Sequence, residues 1–261
     1  MKKISVLMLF VFTATFSFGQ LQWIKNYDIA RAKALNENKL IVMDFWAIWC
    51  GPCKKMDSDM WNTEEMNAYA DKFIFLKIDV DSDRNTALKY SANTIPKVVI
   101  MDASGESVWE EIGFSSASPY MTAFEEFPST PAPSDHLSKL IQNQADANTY
   151  FTLGAWYQDA AKNMESPTLK RDVLNLSDQH FKKSVKESSS EALATEAEFN
   201  LILNQAYKGA YKKAMKKVDK MEEAEMKNFI MAYCYKCEGQ TDKMQQFMDK
   251  ITSKELLAQL D

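Results

Sequence analysis

The stretch Trp49-Cys50-Gly51-Pro52-Cys53-Lys54, WCGPCK, places two of the chain's four cysteines three positions apart. It follows residues 40–46, LIVMDFW, an apolar run that is typical of a buried strand. A strand, a tight turn and then a helix is the arrangement that this order predicts. The first cysteine would then stand at the start of the helix, where negative charge is favoured.

This placement gives the two cysteines a chemical use. A thiol attacks only as a thiolate, and a free cysteine with a pKa of about 8.5 is mostly protonated at neutral pH. The dipole and the unpaired N–H groups of a helix start favour the thiolate of Cys50, and Pro52 is tolerated just inside that start. With two residues between the thiols, Cys50 can attack a substrate disulfide and Cys53 can resolve the mixed disulfide.

The first residues of the chain predict export. Two lysines precede an apolar run over residues 4–18, and the small residues Ser17 and Gly19 stand at the positions that a signal peptidase reads. We expect a cleaved secretory signal at residues 1–19 and a periplasmic or secreted protein, with an uncleaved membrane anchor as the alternative. Cysteine pairs in such compartments are structural by default. Each pair here would close a very short loop, however, and short loops stabilise little.

The pattern of elements predicts two domains joined by a spacer. Residues 128–134, PSTPAPS, are rich in proline and serine and cannot build a core. Residues 20–127 alternate strands and helices and end in a hairpin, which predicts an α/β fold with a mixed sheet covered by helices. Residues 135–261 lack strand signals and predict an all-α domain. Strands are predicted at residues 40–46, 73–78, 97–101 and 107–112, and helices at 28–38, 83–90 and 119–127, with a further helix that carries Met56 and Met60.

Two charged residues inside apolar strands are further candidates for the chemistry. Asp44 lies in the middle of its run, six residues before Cys50, where an unpaired carboxylate is costly. We therefore expect a raised pKa for Asp44 and proton transfer between it and Cys53. Lys77, in the apolar run 73–78, is its candidate partner. The alternatives are that Asp44 and Lys77 form a buried structural pair, or that Lys77 extends its ammonium group to the surface.

Three segments together resemble the thioredoxin family, in that family's own order: DFWAIWCGPCKKM at residues 44–56, FLKIDVD at 75–81 and TIPKVVIMDASGE at 94–106. The resemblance covers residues 22–127 and implies the thioredoxin fold. It implies that Cys50 is the attacking thiol, that Cys53 is the resolving thiol, and that Asp44 is the buried acid or base. The substrate-binding residues that it implies are Trp49, Gly51, Pro52, Ile95, Pro96 as a cis proline, and Gly113.

The resemblance also implies an activity and its partners. Thioredoxin-like proteins use the cysteine pair itself as the redox group, so we expect a thiol-disulfide oxidoreductase that acts on protein disulfides without a metal or a bound cofactor. Gly-Pro between the cysteines resembles the reducing members of the family, whose reduction potential of about −270 mV opposes an oxidising compartment. An electron donor in the membrane or the periplasm is therefore expected.

Two departures from the family pattern bear on the substrate. Ile48 stands where thioredoxins often have an acidic residue. Residues 57–72 resemble exported domains that are related to the periplasmic C-terminal domain of the disulfide-interchange transporter. Both differences concern what the protein acts on, and neither alters the chemistry of the cysteine pair.

The predicted helical domain contains the second cysteine pair, Cys234 and Cys237, near the end of a helix, where the dipole disfavours a thiolate. A structural pair, buried or disulfide-bonded, is the first interpretation. A redox relay to the first pair is an alternative, and so is a zinc site shared by the two pairs, although its ligands would lie far outside the usual spacing.

The same domain predicts partner binding. Helix, glycine turn and helix follow one another around Gly209 and again around Gly239, about thirty residues later, and resemble tetratricopeptide-like hairpins. An adaptor protein, whose helical domain recruits protein partners while the thioredoxin-like part serves as a scaffold, is therefore the alternative function. The net charge of −5 argues against nucleic acid as a partner. His136 and His180 have no visible partner in the sequence and are assigned no role.

Overall fold

The structure is a computed structural model that describes residues 21–128 and 132–260. The predicted signal peptide and the centre of the predicted spacer lie outside the described residues. In the first part of the chain the strands are β1 (Trp23–Ile24), β2 (Leu40–Trp46), β3 (Phe73–Asp79), β4 (Lys97–Met101) and β5 (Ser107–Ile112). The α-helices of this part are α1 (Tyr27–Glu37), α2 (Gly51–Met56), α3 (Arg84–Lys89) and α4 (Ser118–Glu126).

The strands form one mixed sheet in the order β1-β3-β2-β4-β5. Strand β3 pairs in parallel with β1 and β2, while β4 pairs antiparallel with β2 and β5. The central strand β2 is buried along its length except at Trp46. The predicted α/β fold with a mixed sheet is confirmed, and its central strand carries the chain directly into the cysteine pair at one end.

Both faces of the sheet are covered, as the continuous apolar runs predict. Successive side chains of β2 point to opposite faces, so Val42 joins a cluster with Phe124 of α4, whereas Met43 joins a cluster with Ala30 and Ala34 of α1. Because apolar residues stand on both faces, the strand reads as an uninterrupted apolar run. Asp44 is the exception within it, and its register partners are Lys77 on β3 and Val98 on β4.

The segment after α2 differs from the prediction. The helix that was expected to carry both Met56 and Met60 ends at Met56, and a single π turn follows at Asp57–Trp61. Met56 and Met60 are both buried, so the methionine spacing correctly indicates a core-facing stripe but does not reveal the change of helix type. A 3₁₀ helix at Glu65–Tyr69 then leads to β3.

Within the described residues after position 131, every regular element is a helix. Within residues 21–128 and 132–260, no helix combines the length and the apolar character that crossing a membrane requires. Gly154 lets two of the helices approach closely, because a Cβ at this position would lie 2.9 Å from the ring of Phe181. The helices are α5 (Ser134–Ile141), α6 (Ala147–Lys162), α7 (Pro167–Glu187), α8 (Glu191–Tyr207), α9 (Tyr211–Val218), α10 (Glu225–Cys237), α11 (Thr241–Met248) and α12 (Lys254–Leu257).

The sheet-containing part and the helical part share buried contacts. Phe124 and Phe127 at the end of α4 belong to the same hydrophobic cluster as Tyr157 of α6. The Glu126 carboxylate accepts the backbone N–H of Ser166 at 3.0 Å, immediately before α7 begins. A carboxylate beside the N-terminus of α7 also interacts favourably with the dipole of that helix. The two parts are therefore packed against each other and are not joined by the spacer alone.

Candidate active site

The cysteine pair lies at the junction of β2 and α2. Cys50 is the N-cap residue of α2, and its sulfur accepts the backbone N–H of Cys53 at 3.1 Å. Cys50 and Cys53 are joined by a disulfide, with their Cα atoms 5.3 Å apart. Pro52 occupies the first turn of the helix, where the missing N–H breaks no hydrogen bond. The helix start therefore directs an N–H group at the sulfur that is proposed to attack.

The disulfide lies just beneath the protein surface, because Cys50 and Cys53 are each only 3% exposed. The cysteines pack against Ala47, and Ile95 contacts the same small cluster. Reaching the sulfur atoms therefore requires a close approach along the surface around them.

Two exposed apolar side chains stand between the end of β2 and Cys50 in the sequence. Ile48 is 71% exposed and Trp49 is 65% exposed. The Trp49 indole N–H donates to the Asp81 carboxylate at 2.7 Å, which holds the ring in place. Gly51 and Pro52 are exposed as well. These four residues therefore form exposed surface next to the disulfide in the sequence.

The turn before β4 also contacts the cysteine cluster, through Ile95. The Ile95–Pro96 peptide bond is cis, the isomer that the family resemblance implies and that the proline alone does not predict. The Pro96 carbonyl accepts the N–H of Gly113 at 2.7 Å. Gly113 has a φ of 87°, in the region that favours glycine, and a Cβ there would meet no other atom within 4 Å. Backbone conformation, rather than lack of space, therefore explains this glycine.

Asp44 and Lys77 face each other across adjacent strands, as their register requires. Asp44 is 2% exposed, and its Oδ2 lies 3.5 Å from the Nζ of Lys77. Burial raises the pKa of Asp44 to about 7, against the opposing effect of the Lys77 ammonium group. Its other oxygen, Oδ1, makes no hydrogen bond with any described residue. A carboxyl group with this pKa exchanges its proton near neutral pH, which suits a general acid or base.

A third charged residue, Asp57, was not identified from the sequence. Its carboxylate forms an ion pair and a hydrogen bond with Lys77, and its negative charge also raises the pKa of Asp44. The Lys77 ammonium group is further enclosed by the rings of Trp23 and Trp46, each with its centroid 5.1 Å away. Asp57 follows Cys53 by four residues, a spacing that places two side chains on the same helix face. That spacing was the available signal.

The structure places the residues predicted for the chemistry in two groups. One group contains Cys50, Cys53 and Ile95, and the other contains Asp44, Lys77 and Asp57. The arrangement provides a disulfide at a helix start and, in the strand that leads into it, a buried carboxyl group able to exchange a proton. In the described part of the chain, no group of three or more His, Cys, Asp or Glu residues is placed so that it could hold a metal ion.

Comparisons with known proteins match the same part of the chain. A family model described as thioredoxin-like matches residues 22–103. Thioredoxin C-2 of Corynebacterium nephridii is 37% identical over 83 residues, which cover 32% of this chain and 74% of that protein. Thioredoxin of Staphylococcus aureus is 39% identical over 79 residues, covering 30% of this chain and 72% of that protein. Thioredoxin-T of Drosophila melanogaster is 35% identical over 74 residues, covering 28% of this chain and slightly less than half, 46%, of that protein.

Proposed function

This chain belongs to the thioredoxin family of thiol-disulfide oxidoreductases, and we propose that it reduces the disulfides of protein substrates after export from the cytoplasm. The observation that carries the proposal is the position of Cys50. Its sulfur stands at the N-terminus of α2 and accepts an N–H group there. This position lowers the cost of the thiolate that the reaction needs.

The reaction proceeds in two exchanges. The reduced protein attacks with the Cys50 thiolate, which bonds to one sulfur of the substrate disulfide and releases the other as a thiolate. Cys53 then loses its proton and attacks the Cys50 sulfur, so that the second substrate sulfur leaves and the Cys50–Cys53 disulfide forms. Two electrons pass to the substrate. A separate reductant must return two electrons to the protein before the next cycle.

Asp44 is proposed to accept the proton of Cys53 in the second exchange. Its raised pKa, about 7, means that the carboxyl group is partly ionised at neutral pH and can take up a proton. Lys77 and Asp57 are positioning residues in this scheme, because they act on the charge of Asp44 and not on the sulfur atoms. Trp49, Gly51, Pro52, Ile95, Pro96 and Gly113 are proposed to contact the substrate.

Two sequence features support the remaining parts of the proposal. Gly51 and Pro52 between the cysteines support the reducing direction, as in the reducing members that they resemble. The basic and apolar segment at residues 1–19 supports export, and export in turn requires an electron donor in the membrane or the periplasm. The exposed Ile48 and Trp49 support a protein substrate with apolar residues near its disulfide.

The alternative function, an adaptor in which the helical part recruits protein partners, rests on the size and position of that part. The helices from α5 to α12 pack against the sheet-containing part through buried residues, including Phe127 and Tyr157. Such a body offers partners a surface with a constant position relative to the disulfide. An adaptor would not need the thiols, so removing them separates the two functions.

The test is the reduction of insulin disulfides by the purified protein with dithiothreitol as the electron source. Cys50→Ser should abolish turnover, and Cys53→Ser should accumulate a mixed disulfide between Cys50 and insulin. The matched control is Ser58→Ala, which changes an exposed side chain just after α2 and should leave turnover intact. Equal turnover in Cys50→Ser and the unmodified protein would reject the oxidoreductase and favour the adaptor. Export is tested separately, by locating the protein in cell fractions and determining its N-terminal residue.

A further inference from the structure

The second cysteine pair is divided between the interior and the surface. Cys234 and Cys237 lie on the last turn of α10 and are not bonded to each other. Cys234 is buried, whereas Cys237 is exposed. The structural interpretation of the pair accounts for Cys234, since burying a thiol in a core is common. It does not account for Cys237, whose exposed sulfur fills no space in the core.

The spacing of the pair is compatible with a disulfide. Helix geometry separates the Cα atoms of residues three positions apart by about 5 Å, inside the range of about 4.4–6.8 Å over which disulfides form. Cys50 and Cys53 have the same sequence separation and are bridged, with Cα atoms 5.3 Å apart. Cys237 is the last residue of its helix, and Gly239 turns the chain away with a φ of 71°. Closing the bridge therefore affects one terminal turn only.

The two thiols also differ in their surroundings. The side chains of Tyr211 and Tyr233 lie near Cys237, and the pKa of each tyrosine is raised, first by burial and then by this cysteine. These hydroxyls therefore stay protonated and can donate to a thiolate. Burial, together with Cys237, raises the pKa of Cys234 to about 12. Of the two thiols, the exposed one is the one that can attack, and the buried one keeps its proton until a bond to its neighbour forms.

We propose that Cys234 and Cys237 are a second redox-active dithiol, which exchanges two electrons with the Cys50–Cys53 disulfide of another copy of this chain. The proposal goes beyond the proposed function, although its electron acceptor is the disulfide of that function. It gives the protein a thiol pair that stores reducing equivalents outside the substrate-binding surface. It also gives a use to the exposed sulfur that packing does not explain.

The exchange balances without any other reactant. The Cys237 thiolate bonds to the Cys50 sulfur of the second copy, and the Cys53 thiolate leaves and takes up a proton from solvent. Cys234 then loses its proton and bonds to the Cys237 sulfur, which releases the Cys50 thiolate. The Cys234–Cys237 pair is oxidised by two electrons, and the Cys50–Cys53 disulfide is reduced by two.

The experiment uses two full-length variants, so that each carries one pair only. The donor, Cys50→Ser/Cys53→Ser, is reduced, and the acceptor, Cys234→Ser/Cys237→Ser, is oxidised. After mixing, the free thiols are alkylated and counted by mass spectrometry. The donor should lose two alkylatable thiols while the acceptor gains two. In a donor that also carries Cys234→Ser, a disulfide-linked dimer of donor and acceptor should accumulate, because the resolving thiol is absent.

Two further variants keep the test informative. Cys237→Ser in the donor removes the exposed thiol without disturbing the core and should stop the transfer. Tyr211→Phe removes a hydroxyl group near Cys237 that can donate to its thiolate, and this variant should slow the transfer. Circular dichroism establishes that each variant is folded. Absence of transfer, while dithiothreitol still reduces the acceptor and the acceptor still reduces insulin, would overturn this proposal and leave the proposed function standing.

Discussion

The hydroxyl of Tyr157 donates a 2.6 Å hydrogen bond to Oδ2 of Asp102. Both side chains are fully buried. Asp102 directly follows β4 at the end of the sheet, and Tyr157 lies on α6, so the bond joins the thioredoxin-like part to the helical part. Oδ1 of Asp102 is also satisfied, by the Ser104 hydroxyl and the Glu106 N–H. Both oxygens of the buried Asp102 carboxylate are therefore hydrogen-bonded, within an apolar core that the two parts share.

Replacing Tyr157 by Phe should lower the stability of the whole protein and not only that of the helical part. The variant leaves one oxygen of a buried carboxyl group without its donor, which costs about 1–3 kcal/mol. Because the core is continuous across the junction, the sheet and the helices should still unfold in one transition, at a lower urea concentration. Circular dichroism and Trp fluorescence measured on the same samples check whether the two transitions coincide.

The matched control for this prediction is Tyr150→Phe. The Tyr150 hydroxyl makes no hydrogen bond with the described residues, and the ring beneath Lys183 is retained. The urea midpoint of Tyr150→Phe should equal that of the unmodified protein within experimental error. Equal midpoints for Tyr157→Phe and Tyr150→Phe would show that the bond to Asp102 contributes nothing to stability.

Asp44 should make the protein less stable as the pH rises. Burial raises its pKa from 3.8 to about 7, so between these values the folded protein holds one proton more than the unfolded chain. The free energy of unfolding must then fall with increasing pH. About three pKa units correspond to about 4 kcal/mol. The stability of the unmodified protein, minus that of Asp44→Asn, should fall by this amount between pH 4 and pH 8.

Urea titrations of both proteins across that range measure the difference curve. As the pH rises above 7, Asp44→Asn should gain stability relative to the unmodified protein. It should also lose turnover with insulin, since an amide cannot accept the Cys53 proton. A level difference curve would mean that Asp44 is ionised throughout, and it would remove the basis for its role as a base.

Asp57, which lies outside the strand, should also affect the pKa of Asp44. Its charge raises the pKa of Asp44, and it also competes for the ammonium group of Lys77. Asp57→Asn removes the repulsion and leaves Lys77 to Asp44, so the pKa of Asp44 should fall by about one unit. The pH at which insulin reduction reaches half its maximum should move to a lower value by the same amount.

The control for Asp57 is its neighbour Asp59, whose carboxylate pairs with Lys55 at 3.4 Å on the surface. Asp59→Asn should leave the pH profile of turnover where it is. If both variants shift the profile equally, the effect comes from net charge near the site and not from the contact with Lys77.

Sequence reasoning located β2, β4 and β5 at their observed bounds, because an uninterrupted or alternating apolar run marks where a strand is buried. It named Lys77 as a candidate partner of Asp44 on chemical grounds, and the two residues are register partners on adjacent strands. It missed the π turn at Asp57–Trp61, since the methionine spacing is the same for both helix types. Tyr157 and Asp102 lie 55 positions apart, and a contact at that separation depends on how two domains pack, which no local pattern encodes.

His180 should contribute a pH dependence of the opposite sign. Its ring is stacked between Tyr150 and Tyr157, with centroids 6.2 and 5.5 Å away, and neither ring nitrogen makes a hydrogen bond with a described residue. Burial, with the Lys183 charge, lowers its pKa to about 4. Below the unfolded value of about 6.5, the unfolded chain therefore binds a proton that the folded protein does not. Stability must fall as the pH drops from 6.5 toward 4.

Because Asp44 and His180 act in overlapping pH ranges with opposite signs, the unmodified protein should hide part of each effect. The His180 contribution is isolated in the Asp44→Asn background, where adding His180→Phe keeps a stacked ring but removes the titrating group. Between pH 6.5 and pH 4, the free energy of unfolding of the double variant should fall by about 3 kcal/mol less than that of Asp44→Asn. His136→Phe in the same background is the control. If its curve changes as much as that of His180→Phe, the stacked environment of His180 does not govern its protonation.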